Sequence, residues 1–357
     1  MNSRERVARA LNHEEADRIP VDFWASPGLL AKLRAETGMS KAEFLDAHDV
    51  DFRYIDGPAY VGPRLADGED LWGVPRTVTT VRTENGWERY TEVREPPLAG
   101  ARSVDDIEGY EHWPSPDWFD YGGIEAQCDA GIAAGRVVIF MGDRLNRIAQ
   151  LKPAMYLRGV EQILTDLATR PDLARRVIGR IRHFYTGYLE RILEAANGKI
   201  DIVLTGDDFG SQTGPLVSPA MWDEFLRHGF ERYVGIAHEA GCCVMHHTCG
   251  SVLPIIARMI DCGLDVLQSL QPGAADMDPA LLKARFGRRL CFQGGVCIQH
   301  TLPHGTREDI RREVKRLADT MGRRGGYIFC TSHNIQADVD VGNVTALMGA
   351  YKEFGRY

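Results

Sequence analysis

DIVLTGDDFG, residues 201–210, and CCVMHHTCG, residues 242–250, are built alike: each opens on apolar residues and closes on polar ones ending in glycine. Four further runs keep that order, VVIFMGD (137–143), DVLQSL (265–270), LCFQGG (290–295) and YIFCTSHN (327–334). Helical patterns such as SPAMWDEFLRHGFERYVGIAHEAG, SVLPIIARMIDCG and REDIRREVKRLADTMGRRGG lie between them. Strands alternating with helices imply a parallel sheet. A doubly wound sheet gathers its ligands at one switch point, usually behind a glycine-rich phosphate turn. Here no G-x-G-x-x-G or P-loop follows a strand, and polar residues crowd the C-terminal end of nearly every run. That distribution predicts the catalytic face of an α/β protein of the (β/α)8, or TIM, barrel type.

Toward the N-terminus the pattern is less regular. Residues 3–12 read as a short helix with Ser3 as N-cap, and RIPVDFW (18–24) as a β-rich run opened by a proline. Two short helical patterns follow over 25–48. Around Asn85-Gly86 the segment 77–93 alternates as a β-hairpin does, and as an exposed hairpin it is a candidate homodimer contact. Trp-Pro-rich residues 113–119 read as a turn, not a linker. The chain is therefore expected to be one barrel domain over 1–357, with an extension of helices and hairpin over about 1–120 and regular β/α units over about 121–357.

Composition narrows the partners. A hydrophobic share of 44% and a charged share of 26% are those of a globular protein with ample core. The net charge of −8 argues against a phosphate-backbone binder and favours small-molecule or protein partners. No apolar run approaches a membrane span, and MNSRERVARALNHEEADRIP has no signal-peptide core, so the chain reads as cytoplasmic. Eight cysteines in a reducing compartment are then packing or chemistry, not disulfides.

If 242–249 is a strand, Cys243, Met245, His247 and Cys249 share one face, and Cys242, Val244, His246 and Thr248 the other. His247 and Cys249, two apart at the C-terminal end, can converge on one ion of the kind zinc is. A third ligand must come from another strand end, and Cys330 in YIFCTSHN holds the equivalent place. Cys128, Cys242, Cys243, Cys262, Cys291 and Cys297 read as packing. Further polar groups at strand ends, Asp143, Asp207, Asp208 and His333, are candidates for acid catalysis; one carboxylate could instead complete the metal shell, and of the adjacent Asp207 and Asp208 only one is expected to face the cavity. Gln212, Gln268, Gln293 and Asn334 are candidates for orienting substrate, with Phe23 and Trp24 as an aromatic wall.

The chain resembles the uroporphyrinogen decarboxylase superfamily along essentially its full length, through DRIPV, LWGVP, GDDFGSQTGPLVSPAMWDEF, HHTCGSV, GLDVLQSLQP, FQGGVCIQHTLPHGT, GGYIFCTSHNIQADV and GNVTALMGAY. The resemblance implies a (β/α)8 barrel and one of two chemistries. One branch decarboxylates tetrapyrrole acetates without metal. The other comprises zinc-dependent methyltransferases that exchange methyl groups with the cobalt of a corrinoid protein, and carries H-x-C-G with a distant cysteine as zinc ligands. His247-Thr248-Cys249-Gly250 and Cys330 match that pattern.

The decarboxylase branch holds substrate carboxylates on arginines just after the proline-valine element, where this chain has PVDFWASPGLL without arginine. No D-x-H-x-x-G corrinoid motif occurs, so the corrinoid is expected on a separate protein. Within the methyltransferase branch the sequence favours removal of methyl from a methoxylated aromatic donor onto cob(I)alamin, an O-demethylation. Alternatives are methyl transfer from corrinoid to a thiol, a metal-free decarboxylase and a zinc hydrolase. The last of these usually avoids thiolate ligands, which lower Lewis acidity.

Overall fold

Runs such as VVIF, IVLTG and YIFCT are apolar on both faces, and a strand of that kind is stable only when covered on both sides. The computed structural model, which describes residues 1–83, 86–142 and 147–357, covers them in that way. Strands Phe52–Ile55, Val137–Phe140, Ile202–Gly206, Cys243–His247, Val266–Leu270, Cys291–Val296 and Tyr327–Thr331 form one seven-stranded sheet, neighbours in sequence being neighbours in space. Every pairing within it is parallel.

The two edges of this sheet are joined by residues 20–25. Val21 bridges Phe329 in parallel and Ala25 bridges Ile335, while the Asp51 amide donates to the Val21 carbonyl at 3.0 Å on the other side. A segment entered through Pro20 cannot supply a full ladder, yet it fills the eighth position and the fold is a TIM-type barrel. Its start is pinned by Asp51, fully buried, whose carboxylate accepts from Arg6 Nη1 at 2.6 Å, Arg18 Nη1 at 2.7 Å and the Val21 amide at 2.8 Å. Two barrel positions thus come from the stretch read as an extension.

Period-2 alternation sorts each strand. Phe52, Val137, Ile139, Ile202, Leu204, Met245, Val266, Cys291 and Ile328 fill the barrel interior, with Val7 of the first helix packed among them. The alternate residues join a larger core beneath the surrounding helices. The first helix, Ser3–Leu11, is capped by Asn2 through a capping box, so Ser3 is its first residue and not its cap.

The hairpin forms over Arg76–Thr83 and Gly86–Val93, Thr83 facing Gly86; Asn85 lies outside the described residues. Buried Glu88 ties it to the C-terminal side of the barrel, accepting from Ser26 Oγ and from the Ala337 amide at 2.7 Å. Trp87 and Val78 remain more than half exposed on it. No described helix is long and apolar enough to cross a membrane.

Candidate metal centre at the barrel mouth

The interior parity that points Cys243 and Met245 inward carries His247 to the top of the barrel. There its Nδ1 meets the side-chain oxygen of Gln268, which is completely buried on the next strand. An amide oxygen can only accept, so Nδ1 carries the proton and Nε2 presents its lone pair to the cavity. Nε2 lies 3.4 Å from Cys249 Sγ, and the His333 ring stands 5.3 Å from that of His247. One donor atom from each of His247, Cys249 and His333 falls within 4.8 Å of the others.

Cys249 lies beyond the strand and is aimed by its loop. Gly250 adopts φ +79°, a conformation natural to glycine. A Cβ there would sit 2.5 Å from the Ser211 carbonyl oxygen, and one on Gly210 would sit 2.6 Å from that of Cys249. The loops after the third and fourth strands of the sheet are therefore packed backbone to backbone. The Cys249 amide donates to Asp208 Oδ1 at 3.1 Å.

Electrostatics suit a metal ligand set. Burial, helped by the nearby Arg147 guanidinium, pushes His247 well below its usual pKa and keeps it neutral. Burial also lowers His333 and pushes the Cys249 thiol up to about 12. A neutral imidazole whose Nδ1 is held by the Gln268 oxygen, a second imidazole and a thiol are donors that zinc takes. These residues fit the ion.

Cys330, expected as the third ligand, stands outside this group. It faces the interior like Ile328, but deep on the strand, buried beside Asp22 and with Thr331 Oγ1 at 4.0 Å. His333, three residues further along, reaches the cluster instead. Asn334 hydrogen-bonds the His333 ring rather than lining open space.

The adjacent aspartates divide. Asp207 is buried, and its carboxylate accepts the amides of Gln150, Leu151 and Lys152 at 2.6, 3.0 and 2.7 Å. It anchors the N-terminus of helix Leu151–Arg158, so its expected role as a catalytic acid gives way to a structural one. Burial pushes it up to about 6 against those three bonds. Asp208 faces the mouth, 3.6 Å from His247 Nε2 and 2.5 Å from Lys152 Nζ. Burial would raise Asp208, but the Lys152 ammonium and the hydrogen bonds from Lys152 and the Cys249 amide outweigh it and hold the carboxylate low. Asp208 is thus ionised and no proton donor. Asp143 lies outside the described residues.

The aromatic and amide expectations divide in the same way. Trp24 stacks on His247, centroids 5.7 Å apart, and its Nε1 donates to Tyr54 Oη at 2.6 Å. Tyr54 in turn donates to Asp22 at 2.5 Å, and Gln293 Nε2 donates to the same oxygen at 2.6 Å. Gln293 and Gln268 therefore hold site residues in place. Phe23 points the other way, buried against Phe44, and Gln212 is an exposed residue of the loop after strand Ile202–Gly206.

Sequence reasoning passed over Asp22, Tyr54, Arg147 and Lys152. Asp22 shares the parity of Trp24, and Arg147 follows VVIFMG in the same apolar-then-polar order that drew attention to Asp143; both signals were present. Of the other cysteines, Cys128, Cys242 and Cys291 are buried and all are free.

Comparison with known proteins agrees with this architecture. Residues 149–354 match the family described as uroporphyrinogen decarboxylase (URO-D). The uroporphyrinogen decarboxylase of Chlorobium phaeobacteroides is 24% identical over 192 residues, 51% of this chain and 50% of that protein. That of Pseudoalteromonas translucida is 35% identical over 72 residues, 20% of each. The matched region thus spans half the length or less of these relatives. Among solved structures, a methyltransferase from Methanosarcina mazei superposes with a TM-score of 0.67 over 99% of both chains at 19% identity, which shows a shared fold.

Proposed function

The chain belongs to the uroporphyrinogen decarboxylase family, and from that premise we propose that it is a zinc-dependent methyltransferase of the family's corrinoid-linked kind. Its reaction is transfer of methyl from a methoxylated aromatic donor to the cob(I)alamin of a separate protein. One observation carries the reading: His247, with Gln268 on Nδ1, turns Nε2 toward Cys249 and His333 at the barrel mouth. A metal-free decarboxylase has no use for such a set, and residues 20–30 hold no arginine to clamp substrate carboxylates.

His247, Cys249 and His333 would hold zinc. Zinc bound there supplies Lewis acidity to the oxygen that methyl leaves. The chain's own residues do the rest. Trp24, fixed through Tyr54 and Asp22, forms an apolar wall beside His247. Lys152, paired with Asp208, brings the proton-bearing group of that ion pair to the mouth. Cob(I)alamin is itself a strong nucleophile, so the remaining task is to hold the methyl carbon in line between oxygen and cobalt and to stabilise the departing oxygen. The corrinoid protein would cover the mouth, and the exposed hairpin is the candidate homodimer contact.

The test mixes purified zinc-loaded protein, a panel of methoxyarenes and a reduced corrinoid protein, and follows the cobalt spectrum. Methyl-cobalt formation is expected with at least one donor. If none forms, while methylated corrinoid loses its methyl to an added thiol, the thiol-directed reaction replaces this one.

A further inference from the structure

Arg147 carries a full positive charge into the barrel mouth. It crosses the end of strand Ile202–Gly206, where a Cβ on Gly206 would lie 2.5 Å from its Cδ, 3.2 Å from its Nη1 and 3.3 Å from His247 Cβ. Its Cζ is 5.7 Å from the centroid of Trp24, the ring that stacks on His247. The guanidinium therefore stands beside His247 and the ring stacked on it.

Its hydrogen bonding there is poor. Of the described residues Nη2 reaches only Met141 Sδ, at 3.3 Å, and Nε is closed off from solvent without a partner among them. Among the described residues every acid of the site is engaged elsewhere: Asp208 with Lys152, Asp22 with Tyr54 and Gln293, Asp207 with three helix amides. A guanidinium does not deprotonate in a protein, and a half-buried one facing no carboxylate of its own among the described residues favours an anion that can pair with it. Bound zinc with one thiolate would add positive charge beside it.

We infer that Arg147 is the seat of an anionic group on the methyl donor, a carboxylate on the ring that bears the methoxy group. The preferred substrate is then a methoxylated aromatic acid. The planar guanidinium fork matches a carboxylate in two parallel hydrogen bonds. Pairing at that remote group would turn the methoxy oxygen toward His247, Cys249 and His333. The identity of the ligand as a methyl donor rests on the proposed function; the anion seat rests on Arg147.

The test titrates zinc-loaded full-length protein with meta-methoxybenzoate and with its uncharged amide, by calorimetry. The acid is expected to bind about 10- to 100-fold more tightly than the amide. Arg147→Gln should remove that advantage while leaving amide affinity within about threefold. Equal binding of acid and amide to the wild type, no binding of the acid, or equal weakening of both by Arg147→Gln would overturn the inference; the wild-type comparison needs no variant to fold. If the acid binds through Arg147 but no donor methylates the corrinoid protein, the anion seat stands and the methyl-transfer reading falls. If neutral methoxyarenes react as well as the acids, the reverse holds.

Discussion

His246 and His247 are neighbours on one strand, and Asp207 and Asp208 neighbours on the loop beside it, yet each pair is divided by the barrel wall. His246 faces the helices, its ring 5.2 Å from Phe209 and 4.9 Å from Phe230, with Nδ1 on Thr205 Oγ1 at 2.8 Å. Asp207, on the same side, holds a helix terminus. His247 and Asp208 face the mouth, where His247 offers a free Nε2 and Asp208 an ion pair. For the histidines strand parity makes identical side chains core or chemistry; for the aspartates the turn after Gly206 does so. Substitution at the four positions should therefore separate into two classes, one losing metal or turnover and the other losing stability.

The largest contrast is expected between the histidines. His247→Ala and Cys249→Ser should abolish stoichiometric zinc with little change in melting. His246→Ala should keep zinc but destabilise the fold by about 2–4 kcal/mol, as deletion of a packed ring does. Elemental analysis and denaturant unfolding check both; zinc retained in Cys249→Ser would remove the metal centre.

Turnover should fall about 10²-fold in Asp208→Asn, which releases Lys152 from its place, while stability barely moves. Asp207→Asn should do the opposite, costing about 1–3 kcal/mol through unsatisfied helix amides and leaving zinc in place. Near-normal stability of Asp207→Asn would mean that those three bonds contribute little.

Gln268→Ala tests whether the mouth depends on its supporting layer. Losing the acceptor on Nδ1 should weaken zinc about 10- to 100-fold, read by competition with a chelator. Unchanged affinity would separate the tautomer of His247 from metal binding.

The last contrast is in acid. Burial pushes His246 down to about 3 from 6.5, so the unfolded chain takes up a proton there before the folded one does. Its contribution to stability is complete above pH 6.5 and is lost progressively as pH falls toward 3, at no more than about 1.4 kcal/mol per pH unit. A His246→Gln variant should show a shallower loss over that window; an identical slope would assign the acid sensitivity elsewhere.

Much of this was legible in residues 137–334. Apolar runs ending in polar residues specify strands and their functional ends, and strand parity alone predicts the His246/His247 division. The reading fails where a strand stops. Asp207, Asp208 and Cys249 lie past the last ladder residue, so loop geometry and not alternation aims them, and Asp207 was assigned to catalysis for that reason. The eighth barrel position was obscured because residues 20–25 pair through scattered bridges instead of a ladder. His333 and Cys330 sit three apart at one strand end, and only the three-dimensional turn after Thr331 brings the imidazole into the ligand group.

Zinc-edge X-ray absorption on the purified, zinc-loaded chain tests the metal centre most directly. A shell of one sulfur near 2.3 Å with imidazole nitrogens near 2.0–2.1 Å, on the order of distances typical for zinc, is predicted, with the sulfur lost in Cys249→Ser and kept in Cys330→Ser. A shell of oxygen alone, or a protein that retains no zinc, would contradict it.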